Sequence, residues 1–366
     1  MIWNLFKIAP RSFLGVDIGT FSIKIVELSF SGKKIKLKNY GEIKAEAFYQ
    51  KPFRTFEKNT LTLYSQDVIQ AVSAILQEAK IKEKKSCFSI PDFSSFFTSF
   101  SLPAMGEEEL PQAVQYEARQ HIPLPLSEVF LDWQIIEKVG SGEKPSSFKI
   151  LLVAVPKEVI NQYQEISKNS QLELRTLEAE VFGLSRCLTE SHASSTNQPK
   201  EEQILILVDI GARSSTISVV SKDTIQLSHS LDIAGNDLTE AVSKALKVDY
   251  KEAEKLKKEN GITENGRKEI KEAQIPLIDL ILNEIKKISQ DFTRSEKKAV
   301  QKVILAGGTA LLPGLVDYFS ENLKLKTEKI NPFINIDYPQ ILEGTLKELS
   351  PSYAIATGAA LRGLEL

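Results

Sequence analysis

Cysteine, histidine, tryptophan and methionine are all scarce in this chain of 366 residues: two, three, two and two respectively. Each shortage removes a class of function. Cys87 and Cys187 lie far apart, so neither a disulfide framework nor a CxxC or zinc spacing can be built from them, and the composition suits a reducing compartment. The scattered histidines give no metal-ligand cluster. Charge of one sign is missing too: 46 basic against 48 acidic residues leave a net of −2, which argues against a broad nucleic-acid footprint. Long apolar runs are absent, the longest being strand-length where a bilayer-spanning helix needs ~20 residues. The opening MIWNLFKIAPRS carries Trp3, Phe6 and two cations. Its apolar stretch is too short, and without a cleavage site, for a secretory signal. It reads as a terminal segment packed on the first domain, and the chain is expected in the cytoplasm.

What is present points to a globular protein of two or three domains or lobes, with 42% hydrophobic and 26% charged residues. The strongest internal signal is a repeat. FLGVDIGTFSIKIVEL, from Phe13 to Leu28, is a buried hairpin tipped by an acid, a glycine and hydroxyls. LILVDIGARSSTISVV, from Leu205 to Val220, repeats the pattern.

The rest of the chain is mixed α/β. The first hairpin is followed by a third strand near Lys34–Tyr40. Asp67–Ala79 is predicted helical, with Val68, Ala71, Val72, Ile75, Leu76 and Ala79 at helical spacing. SCFSIP is a buried strand stopped by Pro91. From about Asp92 to Ser170 the texture changes to a β-α-β-β insertion, with Glu107 to Glu109 expected in the first turn of its helix. Ser191–Glu202 reads as a linker between lobes. The Lys/Glu-rich stretch from Val248 to Lys298 has helical periodicity and mostly solvated faces. VILAGGTALLPGLVDYF gives strand, glycine turn and helix, and SPSYAIATGAALRGL a closing helix with small residues on one face. The implied segments are 1–91 and 171–200 for the first core, 92–170 for the insertion, 201–233 and 299–366 for the second core with the closing helix, and 234–298 for its cap.

A phosphate needs backbone N–H donors at close range, which glycine permits, with hydroxyl or cationic support. Gly19, Thr20, Ser22 and Lys24 supply this at the first tip; Gly211, Ser214, Ser215 and Thr216 do so at the second. Asp17 and Asp209 are odd phosphate ligands but suitable groups for ordering a hydrated Mg²⁺. Gly307 and Gly308, in LAGGTALLPGL, end a buried strand where backbone can approach a base or sugar. The spacing is not GxGxxG, and the acid expected downstream of a Rossmann turn is missing.

These stretches resemble the phosphate-1, phosphate-2 and adenosine motifs of the actin and sugar-kinase superfamily of ATP-binding proteins. By position in that pattern, EAEVFGLS points to Glu180 as the acid near an attacking water. AEKLKKE points to Glu254, Lys257 and Lys258 against the purine and ribose, and Gly235, Thr309 and Leu312 join the implied ATP contacts. Within the superfamily the chain is similar, over almost its whole length, to the PilM-type proteins of type IV pilus assembly. GVDIGTFSIKIVEL, EARQHIPLPLSEVFLDWQII, RTLEAEVFGLSR and DIAGNDLTEAVSKAL carry that likeness. The resemblance implies an actin-like, ribonuclease H-like fold of two lobes and four subdomains, shared with the cell-division protein FtsA, with an SHS2-like insertion in the first lobe. It implies ATP and Mg²⁺ as ligands. It also implies recruitment to the inner membrane by the cytoplasmic N-terminal tail of a PilN-like protein, indirect membrane contact, self-association as an option, and no nucleic acid. The tail would lie between the first core and the insertion, near Phe93, Phe96, Phe97 and Phe100. An FtsA-like filament tether is the first alternative, set against a sequence that ends in ALRGLEL without a basic amphipathic helix. A small-molecule kinase is the second. Arg213 departs from the small residues usual in the phosphate-2 turn and is expected to face solvent. ATP binding is better supported than rapid turnover.

Overall fold

A computed structural model describes residues 12–32, 34–45, 64–106, 108–140, 146–193 and 203–365. The leader, Glu107, and residues 194–202 of the expected linker lie outside that set. The first lobe starts with β1 (Ser12–Ile18), β2 (Ser22–Ser31) and β3 (Lys34–Lys44), an antiparallel meander, followed by α1 (Ser65–Glu78) and β4 (Lys85–Ile90), which runs parallel to β1. Every residue of β1 is buried because both faces of the sheet are covered. Leu14, Val16 and Ile18 pack towards α1, whose buried Val68, Ala71, Val72 and Ile75 match the predicted stripe, whereas Phe13 and Gly15 face the other way.

The insertion follows: β5 (Phe96–Pro103), α2 (Leu110–His121), β6 (Val129–Val139) and β7 (Ser147–Pro156). Its sheet has the order β5-β7-β6. Leu110, Val114 and Ala118 of α2 pack on Leu102, Phe148, Ile150 and Leu152. The helix starts later than expected, so Glu108 and Glu109 precede it, and Glu109 Oε2 accepts a bond from Gly106 N–H at 2.8 Å. Strand alternation splits the phenylalanine run. Phe96 and Phe100 face the insertion's own core, while Phe97 lies against Phe182 with ring centroids 6.3 Å apart. α3 (Lys157–Asn169), which the sequence places inside the insertion, buries Val159, Tyr163 and Ile166 in the first lobe beside α1. β8 (Glu173–Ala179) then joins β4 in parallel and leads into α4 (Glu180–Ala193).

The second lobe repeats the plan. β9 (Ile204–Ile210), β10 (Ser215–Ser221) and β11 (Thr224–Leu231) form the meander, α5 (Gly235–Leu246), α6 (Tyr250–Asn260) and the long α7 (Lys268–Glu296) follow, and β12 (Lys302–Ala306) returns parallel to β9. α8 (Leu315–Leu323) and β13 (Lys326–Lys329) finish the sheet. The strand orders β3-β2-β1-β4-β8 and β11-β10-β9-β12-β13 are the same pattern twice, which accounts for the sequence repeat.

The sequence groups residues 299–366 with the second lobe, but β14 (Ile336–Asp337) and α9 (Glu343–Glu365) return to the first. A Cβ on Gly15 would stand 1.8 Å from the Ala356 carbonyl oxygen, so α9 lies flat on β1 only because that position is glycine. Its small residues fit this approach. α4 and α9 are wedged between the two sheets in a core that takes Phe13, Val26 and Leu28 from one lobe and Leu205, Leu207 and Ile304 from the other. The cleft between the lobes opens at the two hairpin tips.

Candidate functional site in the interlobe cleft

The two tips are built alike. Gly19 N–H donates to the Ser22 carbonyl at 3.2 Å, and Gly211 N–H to that of Ser214 at 3.0 Å. Asp17 pairs across its hairpin with Lys24, and Asp209 with Thr216, so the positions correspond while the partners differ. Lys24 Nζ lies 3.5 Å from Asp17 Oδ2. Asp209 has no such cation opposite it, and its buried Oδ1 has no hydrogen-bond partner among the described residues.

The Gly211 carbonyl ties three sequence motifs together. It accepts from Gly235 N–H at 3.0 Å and from Thr309 Oγ1 at 3.2 Å, while the Ala212 carbonyl accepts from Asn236 N–H at 2.9 Å. A Cβ at Gly235 would be 2.6 Å from Thr309 Oγ1, so glycine is required for the junction. Gly307 takes φ +82°, and a Cβ there would meet the Ile210 carbonyl at 2.4 Å and Asp209 Oδ1 at 2.5 Å. Its role is to let β12 approach the acid at the second tip, rather than to make room for a base. A Cβ on Gly308 would meet nothing.

A cavity of about 340 Å³ lies between these turns. Every residue expected at the site lines it except Ser215 and Thr216. Those two spend their hydroxyls elsewhere: Ser215 Oγ donates to the Ile233 carbonyl at 2.6 Å, and Thr216 Oγ1 sits 3.0 Å from Ser230 Oγ. Lys257 is equally committed. Its Nζ lies 2.7 Å from Glu254 Oε2 and donates to Thr239 Oγ1 at 2.8 Å and to the Gly235 carbonyl at 3.0 Å, all buried. Lys258 Nζ is 3.0 Å from Glu254 Oε1. The Glu254–Lys257 pair therefore fastens α6 to the start of α5 and shapes the cavity wall.

Four carboxylates converge at the deep end. Asp92, immediately after β4, donates its backbone N–H to Glu180 Oε2 at 3.3 Å, and its Oδ1 accepts from Val181 N–H at 3.2 Å. Burial raises the Asp209 carboxyl to about 7, helped by the charge of Asp17. Burial, opposed by Val181 N–H and reinforced by Asp209, raises Asp92 to about 7. Glu180 is pushed well above the carboxylate range by burial and by Asp92, Asp17 and Asp209. Burial also raises Asp17, outweighing its nearby Lys24. Such a cluster favours a divalent cation or protons. Among the described residues no group of three or more His, Cys, Asp or Glu is placed to hold a metal by itself. The acids fit Mg²⁺, which keeps its waters and shares its ligation with phosphates.

Two contacts cross the cleft near its mouth. Phe21, third residue from Gly19, lies under Lys258 Nζ at 4.5 Å from the ring centroid. Arg213, at the corresponding position of the second tip, stacks its guanidinium carbon 4.3 Å over Phe93. Arg213 is thus half-buried and lines the cavity instead of facing solvent. Asp92 and Phe21 did not stand out in the sequence. An acid directly after a buried strand was a usable signal for Asp92, but only the parallel pairing of β4 with β1 brings it beside Asp17.

The family model described as type IV pilus assembly protein PilM matches residues 15–364. Among solved structures, a chain of a PilM–PilN type IV pilus biogenesis complex superposes with TM-score 0.81 at 22% identity, covering 96% of this chain and 98% of that one. The ethanolamine utilization protein EutJ from Carboxydothermus hydrogenoformans gives 0.56 at 17% identity, over 96% of this chain and 90% of that one. MreB 5 of Spiroplasma citri bound to AMPPNP gives 0.51 at 14% identity, over 92% and 97%. These likenesses establish an actin-like fold. With the family model matched across nearly the whole sequence, the chain belongs to the PilM family of type IV pilus assembly proteins.

Proposed function

We propose that this protein is an ATP-binding, actin-like scaffold that docks the cytoplasmic N-terminal tail of a PilN-like inner-membrane protein, and so works at the cytoplasmic face of that membrane. The observation that carries the nucleotide reading is the pair of matched tips, with Asp17 and Asp209 on opposite sides of one cavity. Backbone N–H groups and hydroxyls at Thr20, Ser22 and Ser214 serve the phosphates. Gly308, Thr309 and Leu312 offer an open, partly apolar wall for the nucleoside. Mg²⁺ would neutralise phosphate charge and relieve the repulsion among the acids, with Asp17 and Asp209 holding its waters. Glu180 faces the same space as the group that orients water. Its raised pKa leaves it protonated at neutral pH, a poor proton acceptor, which suits slow turnover at most. Support for the partner comes from the family and from the PilM–PilN complex, whose fold this chain shares. No helix among the described residues is long and apolar enough to cross a membrane, consistent with recruitment by a partner.

Calorimetric titration tests the nucleotide half. Mg-ATP should bind wild type, and Asp209→Asn or Asp17→Asn should remove the Mg²⁺-dependent part of the affinity. Wild-type-like titrations in both variants would refute the clamp. For the partner half, vesicles displaying the tail peptide of the PilN-like protein should capture the protein, and bare vesicles should not.

A further inference from the structure

The two tips align residue for residue as Gly19-Thr20-Phe21-Ser22 and Gly211-Ala212-Arg213-Ser214. In each, the third residue reaches across the cleft to a cation–π partner in the opposite lobe. We propose that Arg213 binds the terminal phosphate of a bound nucleoside triphosphate, and that Phe93 is the platform that holds it in place. This rests on the ATP reading above.

Position is the first support. Phe93 follows Asp92, whose N–H is bonded to Glu180, so Arg213 stands at the acid end of the cavity. Lys258 and Leu312 lie towards the other end, where the nucleoside is expected. A triphosphate laid along the cleft therefore brings its last phosphate to Arg213. Charge is the second. The deep end carries Asp17, Asp92, Glu180 and Asp209, and the buried lysines of the wall are already committed, Lys24 to Asp17 and Lys257 to Glu254. A polyanion needs further positive charge there, beyond what one divalent ion supplies. Geometry is the third. Stacking on Phe93 occupies a flat face of the guanidinium, while the N–H groups that grip phosphate lie in its plane. The charged neighbour in the free protein is Asp232 on the same lobe, a partner that a phosphate can replace.

The assignment predicts discrimination between tri- and diphosphate. In calorimetric titrations of the full chain, Arg213→Gln should weaken Mg-ATP by about tenfold to a hundredfold, the range of a lost charge-assisted hydrogen bond, and leave Mg-ADP unchanged. Phe93→Leu should shift the ATP-to-ADP ratio in the same direction by less, and Arg213→Lys should recover part of it. Circular dichroism and melting temperature check that each variant folds. An equal loss for both nucleotides, or no loss, would overturn the role of Arg213 while leaving ATP binding intact. Should wild type bind neither nucleotide, the ATP reading itself falls, and this assignment with it.

Discussion

Asp209 has a buried carboxylate oxygen without a partner, and Asp92 sits nearby with its carboxyl likewise raised to about 7. An acid whose folded pKa exceeds its unfolded value holds its proton longer in the folded protein. Between the ordinary value of 3.8 and about 7 the folded state binds more protons than the unfolded one, so stability falls as pH rises through that window. Glu27 and Glu254 are held below their usual range and contribute the opposite trend only at lower pH. Ligand-free protein should therefore melt at a lower temperature at pH 8 than at pH 5.5, by a free-energy difference on the order of several kcal/mol. Asp209→Asn should flatten the difference, and Mg-ATP should stabilise more at pH 8. Differential scanning calorimetry at the two pH values reads all of this. Gly307 makes a second residue-scale prediction. Its positive φ and the closeness of Ile210 and Asp209 mean that Gly307→Ala should cost at least about 2 kcal/mol and also displace Asp209. Urea unfolding measures the first effect, and loss of Mg-ATP affinity the second. The tip acids were legible because the motif occurs twice in one sequence. Asp92 was not, because its importance depends on which strand lies beside β4, and strand neighbours are not written locally.

At the scale of elements, α5 and α6 are joined through Glu254, Lys257, Thr239 and the Gly235 carbonyl. The E-x-x-K spacing was readable, but it suggested a grip on the nucleotide where the structure shows an internal fastening. Periodicity places both side chains on one helix face without saying what that face meets. Removing one member of a buried pair costs about 3–5 kcal/mol in general. Lys258 remains beside Glu254, so Lys257→Met should cost nearer the lower figure, read by chemical denaturation, and loosen the turn that receives Gly211. Helix and strand identities followed well from hydrophobic period. The attachment of α3, β14 and α9 did not, since an amphipathic stripe fits any complementary surface.

For the whole molecule, the insertion is bound at two points beyond its root. Lys149 Nζ on β7 lies 2.5 Å from Glu296 Oε1 at the end of α7, and Phe97 rests on Phe182 of α4. Excising residues 92–170 would remove Asp92, Phe93 and the core helix α3 along with the docking surface. A deletion confined to residues 96–156 keeps all three. That shorter variant should retain Mg-ATP binding by calorimetry and lose capture by vesicles bearing the partner's tail. Normal capture would show that docking lies elsewhere.

β14 and α9 come after the second lobe in the chain, yet they finish the first, with α9 covering Gly15 and Phe13. On the ribosome this fixes an order of events. The hairpin that begins at Ser12 is among the first segments to emerge, but the helix that shields one of its faces is made on the order of tens of seconds later at ordinary elongation rates. Until then a sheet face rich in β-branched residues stays open to chaperones and to other nascent chains. A chain stalled at residue 340 should be cut readily by protease throughout its first lobe. One stalled with α9 clear of the exit tunnel should resist. For this protein, completing the N-terminal lobe is a C-terminal event.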